Sequence, residues 1–137
     1  MSKSPRGAPS VNLLAVDTAT EGCSAACLTG DKSFERYAVD PQGHSRTLLG
    51  MVEAVLAEAR LERSALDALA YDAGPGSFTG IRIGAGVAQG LALGLEKPLL
   101  AVSSLMTLAE GARREQPNCN SVLAAIDARM DQVYWAR

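Results

Sequence analysis

The chain has 137 residues, 47% of them hydrophobic and 20% charged, which suits one packed domain of ordinary soluble composition. Thirteen basic side chains against fifteen acidic ones give a net charge of −2, so no overall basic field recruits nucleic acid. Only 4% of residues are aromatic, and the core must be built from Ala, Val, Leu and Ile.

The first ten residues, MSKSPRGAPS, lack the apolar segment of a secretory leader and read as a disordered tail. Val11 to Asp17 (VNLLAVD) is a short apolar run ending in an acid, the pattern of a buried strand. Cys23 to Leu28 and Lys32 to Val39 are two further strands, with a hairpin turn at Gly30-Asp31. On one strand Cys23 and Cys27 stand ~13 Å apart, beyond disulfide reach. With Cys119 they read as reduced, buried thiols of a cytoplasmic protein.

Asp40-Pro41-Gln42-Gly43 breaks the chain, and Ser45 caps a helix to about Arg60. Its Leu48, Leu49, Met51, Val52, Val55, Leu56 and Ala59 cover a wider arc than one core face needs. Leu66 to Asp72 is a fourth strand, Thr79 to Gly94 a second helix, and Pro98 to Val102 a fifth strand. Ser103 or Ser104 caps a third helix ending near Arg114. Glu115 to Asn120 (EQPNCN) is a linker, followed by strands at Ser121 to Ile126 and Val133 to Ala136. The β-β-β-α-β-α-β-α order predicts an α/β fold: a mixed five-stranded sheet with helices on both faces. The expected organisation is a tail over 1–10, a lobe over 11–117, and the start of a truncated second lobe over 118–137.

The stretch AGPGSFTGIRIGAGVAQG, residues 73–90, carries the strongest local signal. It is no P-loop, since G-x-x-x-x-G-K-[ST] needs a lysine and none lies between Lys32 and Lys97. The dinucleotide pattern G-x-G-x-x-G fails at Thr79 and again at Gln89. A hydrolase elbow, G-x-S-x-G, fails because Gly76 directly precedes Ser77. What remains is a sharp strand-to-helix turn at Gly74-Pro75-Gly76, with Ser77 or Thr79 as cap, and a helix studded with glycine. Such a helix start can hold an anion or simply be a tight turn. Each helical glycine costs about 1 kcal/mol against alanine, and close backbone approach is the usual gain. Gly80 and Gly84 share a side with Val87 and Leu91, suited to a sheet. Gly86 and Gly90 lie elsewhere, beside Arg82 and Gln89, which suggests a second protein surface. Arg82 and Gln89 also interrupt the apolar run, against a membrane span.

Asp17, followed by Thr18, could place a carboxylate and a hydroxyl at a cleft edge, or form an Asx turn. His44, the single histidine, sits beside a helix start in a capping or exposed role. One such histidine supports no Ser-His-Asp set, and no Cys/His cluster offers a metal site. Asp127, Arg129 and Asp131 form a charged, solvated turn.

LAVDTAT (14–20), GHSRTLL (43–49), AGPGSFTGIRIGAGVAQGLALGL (73–95), PLLAVSSL (98–105) and AAIDARMDQVYWA (124–136) together resemble the bacterial TsaB (YeaZ) family. That resemblance implies an actin/Hsp70-type, RNase H-like first lobe. It also implies a non-catalytic subunit that activates TsaD, the transferase making threonylcarbamoyladenosine on tRNA. The implied partners are TsaD, the TsaE ATPase in the assembled complex, and a second copy of the chain when alone. Contact with tRNA is only indirect, and no cofactor is implied. Catalytic relatives carry two metal-binding histidines just after the fifth strand; Ser104 and Leu108 match those positions here. Where those relatives open a second lobe with a glycine-rich phosphate loop, this chain has Asp127-Ala128-Arg129-Met130-Asp131. The family's first two helices are implied to form the partner surface, with Leu48, Met51, Val52, Val55, Arg82, Gly86, Gln89 and Gly90 as its residues here. Asp17, Thr18, Gly74, Gly76 and Ser77 stay as cleft candidates for a cofactor. The competing expectation is an actin-fold nucleotide- or metal-dependent enzyme, a transferase or glycoprotease-like peptidase.

Overall fold

A computed structural model describes residues 10–39 and 44–137. Residues 1–9 and 40–43, which hold most of the expected tail and the expected chain break, lie outside the described residues. Strands β1 (Asn12–Asp17), β2 (Gly22–Thr29) and β3 (Lys32–Val39) form an antiparallel meander, with Gly30 at φ 57° in the turn between the last two. Helix α1 (His44–Ala59), strand β4 (Ala68–Asp72), helix α2 (Phe78–Leu95), strand β5 (Leu99–Val102) and helix α3 (Ser104–Glu115) follow. The sheet order is β3-β2-β1-β4-β5, with β4 parallel to β1 and β5 parallel to β4. This is the mixed five-stranded α/β sheet that the element order implies, and it is consistent with the actin/Hsp70-type lobe that the resemblance implies.

Strand alternation decides which face is packed. Leu14 and Val16 of β1, Cys23, Ala25 and Cys27 of β2, and Leu69 of β4 all point to one side and are buried. Leu48, Val52, Val55 and Leu56 of α1 meet them at helical spacing, and Ala88 and Ala92 of α2 complete the layer. Each fully buried Leu or Val contributes about 1.5–3 kcal/mol, so this layer is the main stabilising element. Burial pushes the Cys27 thiol up from its ordinary value, which leaves it inert. Cys119, by contrast, is exposed, against the expectation of three buried thiols.

Helix α2 packs on β4, β1 and β5 through a row of small residues, Gly80, Gly84, Ala88 and Ala92. By length and composition it could cross a membrane. The row Gly80, Gly84, Ala88 and Ala92 lies buried against the sheet, and the rest of the helix is half-buried or exposed. Ser77 is its cap, accepting from the Gly80 N–H at 3.3 Å, while Thr79 lies within the helix. Ser77→Ala should cost about 1 kcal/mol in urea unfolding, because one amide of the first turn loses its acceptor. Helix α1 starts at His44, so Ser45 is inside its first turn rather than at the cap. His44 itself is 5% exposed, a correction to the exposed role expected of it.

The opposite face is different. Ala15, Asp17, Ser24, Ala26, Tyr37 and Ala70 line a hollow of about 490 Å³, bordered by Thr107 of α3. Helix α3 therefore leaves β5 on the side away from α1 and α2, and most of this face stays open.

Strands β6 (Ala124–Arg129) and β7 (Gln132–Ala136) form a separate two-stranded hairpin that α3 contacts through β6. Its tip holds Arg129, Met130 and Asp131 at φ 63°, 53° and 58°. A two-residue hairpin loop demands positive φ, which costs non-glycine residues about 1 kcal/mol each. Replacing Met130-Asp131 by Asn-Gly should therefore slow amide exchange in β6 and β7 by roughly fivefold or more.

Candidate functional site

Two regions gather the residues singled out from the sequence. The first is the end of β1. The parallel register ends at Val16↔Tyr71, and the next residues of the two strands, Asp17 and Asp72, line the same hollow. Oδ1 of Asp72 accepts from the Gly74 N–H at 2.8 Å and from the Ser104 hydroxyl at 2.5 Å. Oδ1 of Asp17 accepts from the Ala19 N–H at 2.8 Å, which is an Asx turn. Burial raises the Asp17 carboxyl above its ordinary range; the Ala19 N–H opposes this, and the neighbouring Asp72 adds to it.

Thr18, Gly74, Gly76 and Ser77 all converge here, but the space between them is filled by the chain itself. The Thr18 hydroxyl donates to the Gly80 carbonyl at 2.6 Å. A Cβ at Gly76 would strike the Ala19 carbonyl, and one at Gly80 the Thr18 carbonyl. Gly74 adopts φ 94°, the left-handed region that favours glycine. The Ser77 N–H donates to the Ala19 carbonyl at 2.6 Å, and the Gly80 amide is taken by Ser77. So the glycines of the turn serve close packing of α2 on the Thr18-Ala19 backbone. Asp72 and Ser104 belong to this cluster and were missed as a pair. Asp72 ends a predicted strand as Asp17 does, and that parallel was the available signal.

The second region is the outer surface of the two packed helices. Here the expectation needs correction on α1. Leu48, Val52 and Val55 are at most 1% exposed, turned into the core against the sheet rather than outward. The wide apolar arc misled because its larger part faces the chain's own sheet. Met51 is half-buried against the core, while Leu49 is exposed. On α2 Arg82, Gly86, Gln89 and Gly90 are all exposed. A Cβ at Gly86, Gly90 or Gly94 would meet nothing within 4 Å. Phe78 and Leu93 are 70% and 81% exposed on the same helix, and the Arg82 guanidinium sits over the Phe78 ring at 4.0 Å.

No group of three or more His, Cys, Asp or Glu side chains suited to a metal ion occurs among the described residues. Ser104 is buried and its hydroxyl is given to Asp72, while Leu108 is exposed. At the charged turn, the Asp127 carboxylate accepts from the Arg129 N–H at 2.7 Å.

Comparison with known proteins fits this geometry. Residues 39–137 match the family model of TsaD, the tRNA N6-adenosine threonylcarbamoyltransferase. The chain is 49% identical to the tRNA threonylcarbamoyladenosine biosynthesis protein TsaB of Escherichia coli, over 92% of this chain and 54% of that one. It is 42% identical to the TsaB of Haemophilus influenzae, over 93% and 53%. The solved structure of YeaZ from Pseudomonas aeruginosa superposes with a TM-score of 0.86 at 53% identity, over 91% of this chain and 58% of that chain. The chain thus spans about half the length of the curated relatives it matches. With a family model over most of its length and a fold shared with YeaZ, the chain belongs to the TsaD family, as a member of its TsaB/YeaZ branch.

Proposed function

We propose that this chain is a non-catalytic partner subunit in tRNA threonylcarbamoyladenosine formation, binding a TsaD-type transferase and holding it in an active arrangement. The observation that carries this reading is the exposed side of α2. Gly86, Gly90 and Gly94 recur every four residues, and none of the described residues lies within 4 Å of a Cβ added there. Three glycines cost the helix about 3 kcal/mol against alanine, with no gain in internal packing. A partner helix lying in that groove supplies the gain, because backbones can approach closely there. Phe78, Arg82, Gln89 and Leu93 frame the groove with apolar surface and hydrogen-bonding groups, the composition of an interface centre and rim.

In this reading a second copy of the chain occupies the same surface when no transferase is present. A TsaE-type ATPase joins the assembled complex, and tRNA is reached only through the transferase. Ser104 and Leu108 offer no metal donors at the positions where catalytic relatives carry histidine. Light scattering of the chain alone and mixed with its cognate transferase tests the reading. A homodimer that gives way to a mixed complex is expected; a monomer that ignores the transferase would contradict it.

A second reading, an actin-fold nucleotide- or metal-dependent enzyme, is favoured by Asp17 and Asp72, which line the same hollow at the strand ends. Calorimetric titration with ATP and magnesium separates the two: saturable heat supports the enzyme, and a flat trace supports the partner subunit.

A further inference from the structure

We propose that α2 pairs antiparallel with α2 of a second copy of the chain about a two-fold axis at Gln89, in a register fixed by Leu93 and by ion pairs between Arg82 and Glu96. The proposal rests on the reading of α2 as a partner surface and adds which residues meet there.

Spacing comes first. Arg82, Gln89 and Glu96 follow one another at intervals of seven residues, two turns of helix, so they stand on one side of α2 and its C-cap. Phe78 and Ala85 fall on the same side, while Gly80, Gly84, Ala88 and Ala92 face the sheet. Gln89 is midway between Arg82 and Glu96. An antiparallel partner centred there therefore sets each Arg82 level with Glu96 of the other copy.

Charge supports that register. Ion pairs among the described residues join Arg36 to Glu58, Arg63 to Glu53, and Arg113 and Arg114 to Glu110; neither Arg82 nor Glu96 takes part. The Arg82 guanidinium rests on the exposed Phe78 ring at 4.0 Å, which holds it on the outer side of the helix. The last turn of α2 carries no basic side chain, so its terminal carbonyls keep their partial negative charge, and Glu96 adds a full one. Arg82 of a second copy meets both, and two-fold symmetry makes the contact twice.

Shape supports it independently. Leu93 is 81% exposed, a large apolar side chain its own fold leaves uncovered. In the Gln89-centred pair it lies level with Ala85 of the second copy. There it faces the gap between Arg82, Ala85, Gly86 and Gln89, the four-residue hole of coiled-coil packing. Gly86 keeps that hole open, since a Cβ there would meet nothing within 4 Å. A slip of one turn in either direction would part Arg82 from Glu96 by about 5.4 Å along the axis.

Sedimentation velocity on the whole chain tests this with Arg82→Glu, Glu96→Arg and an equimolar mixture of the two, all at exposed positions. Each variant alone sets like charges together twice and should self-associate roughly tenfold or more weakly than wild type. Mixed, the two should pair with each other within about threefold of wild-type strength, because both contacts again join opposite charges. Leu93→Ala should weaken self-association about tenfold by emptying the hole. A mixture as weak as its components, single variants that pair like wild type, or a wild type that never self-associates would overturn the proposal. Binding of wild type to the cognate transferase separates this outcome from the reading beneath it. A mixed complex alongside any of those results removes the register alone, and the absence of one removes the partner-subunit reading as well.

Discussion

Gly80→Val should destabilise the chain by about 3 kcal/mol or more and lower its urea midpoint well below that of wild type. A Cβ at Gly80 meets the Thr18 carbonyl oxygen, which is backbone and cannot swing aside. That same stretch carries two further ties that fix its position. The Thr18 hydroxyl bonds the Gly80 carbonyl, and the Ser77 N–H bonds the Ala19 carbonyl. Pushing α2 away would break both and open the layer where Ala88 and Ala92 meet the sheet. Overpacking with loss of two buried hydrogen bonds costs about 3 kcal/mol or more, a large share of the stability of a domain this size. Far-ultraviolet circular dichroism with urea titration reads the outcome. An unfolding midpoint for Gly80→Val within a few tenths molar of wild type would mean that α2 does not rest on the Thr18-Ala19 backbone.

The contrasting substitution on the same helix should spare the fold and abolish pairing. At Gly86 an added side chain meets nothing, so Gly86→Glu should fold as wild type and gain a little helix propensity. Placed in the floor of the proposed groove, it would prevent close approach and bury an unpaired charge, reducing affinity by a hundredfold or more. Val55→Glu is the control that separates fold from surface. Val55 is fully buried, so its replacement should unfold the chain rather than affect pairing selectively. Gly86→Glu that pairs normally would remove α2 from the interface.

Much of this architecture is legible in the sequence because the signals are local. Apolar runs of strand length, the Gly30-Asp31 turn and the glycine block place the five strands and three helices within a few residues. The cluster at Asp17 is legible only in part. Asp17 and Ser77 announce themselves by position, whereas Asp72 and Ser104 become a unit through a parallel register and a crossover 32 residues long in sequence. No periodicity carries such a pairing. Helix α1 shows the opposite error. Its apolar residues are visible, but which of them face the sheet depends on how α1 lies across β2 and β3, and Leu48, Val52 and Val55 turn inward. On α2 the glycines divide correctly, because a residue without a side chain is useful only where something comes close. Gly80 and Gly84 have Thr18 above them; Gly86 and Gly90 have open space.

The central claim is that the outer side of α2 receives a partner. Amide hydrogen exchange, measured on the chain alone and mixed with its cognate transferase, tests it most directly. Slowed exchange across residues 78–95 and the first turns of α1, with β6 and β7 unchanged, is the predicted result. Protection centred instead on β6 and β7, or on the open face of the sheet, with α2 exchanging as before, would contradict it.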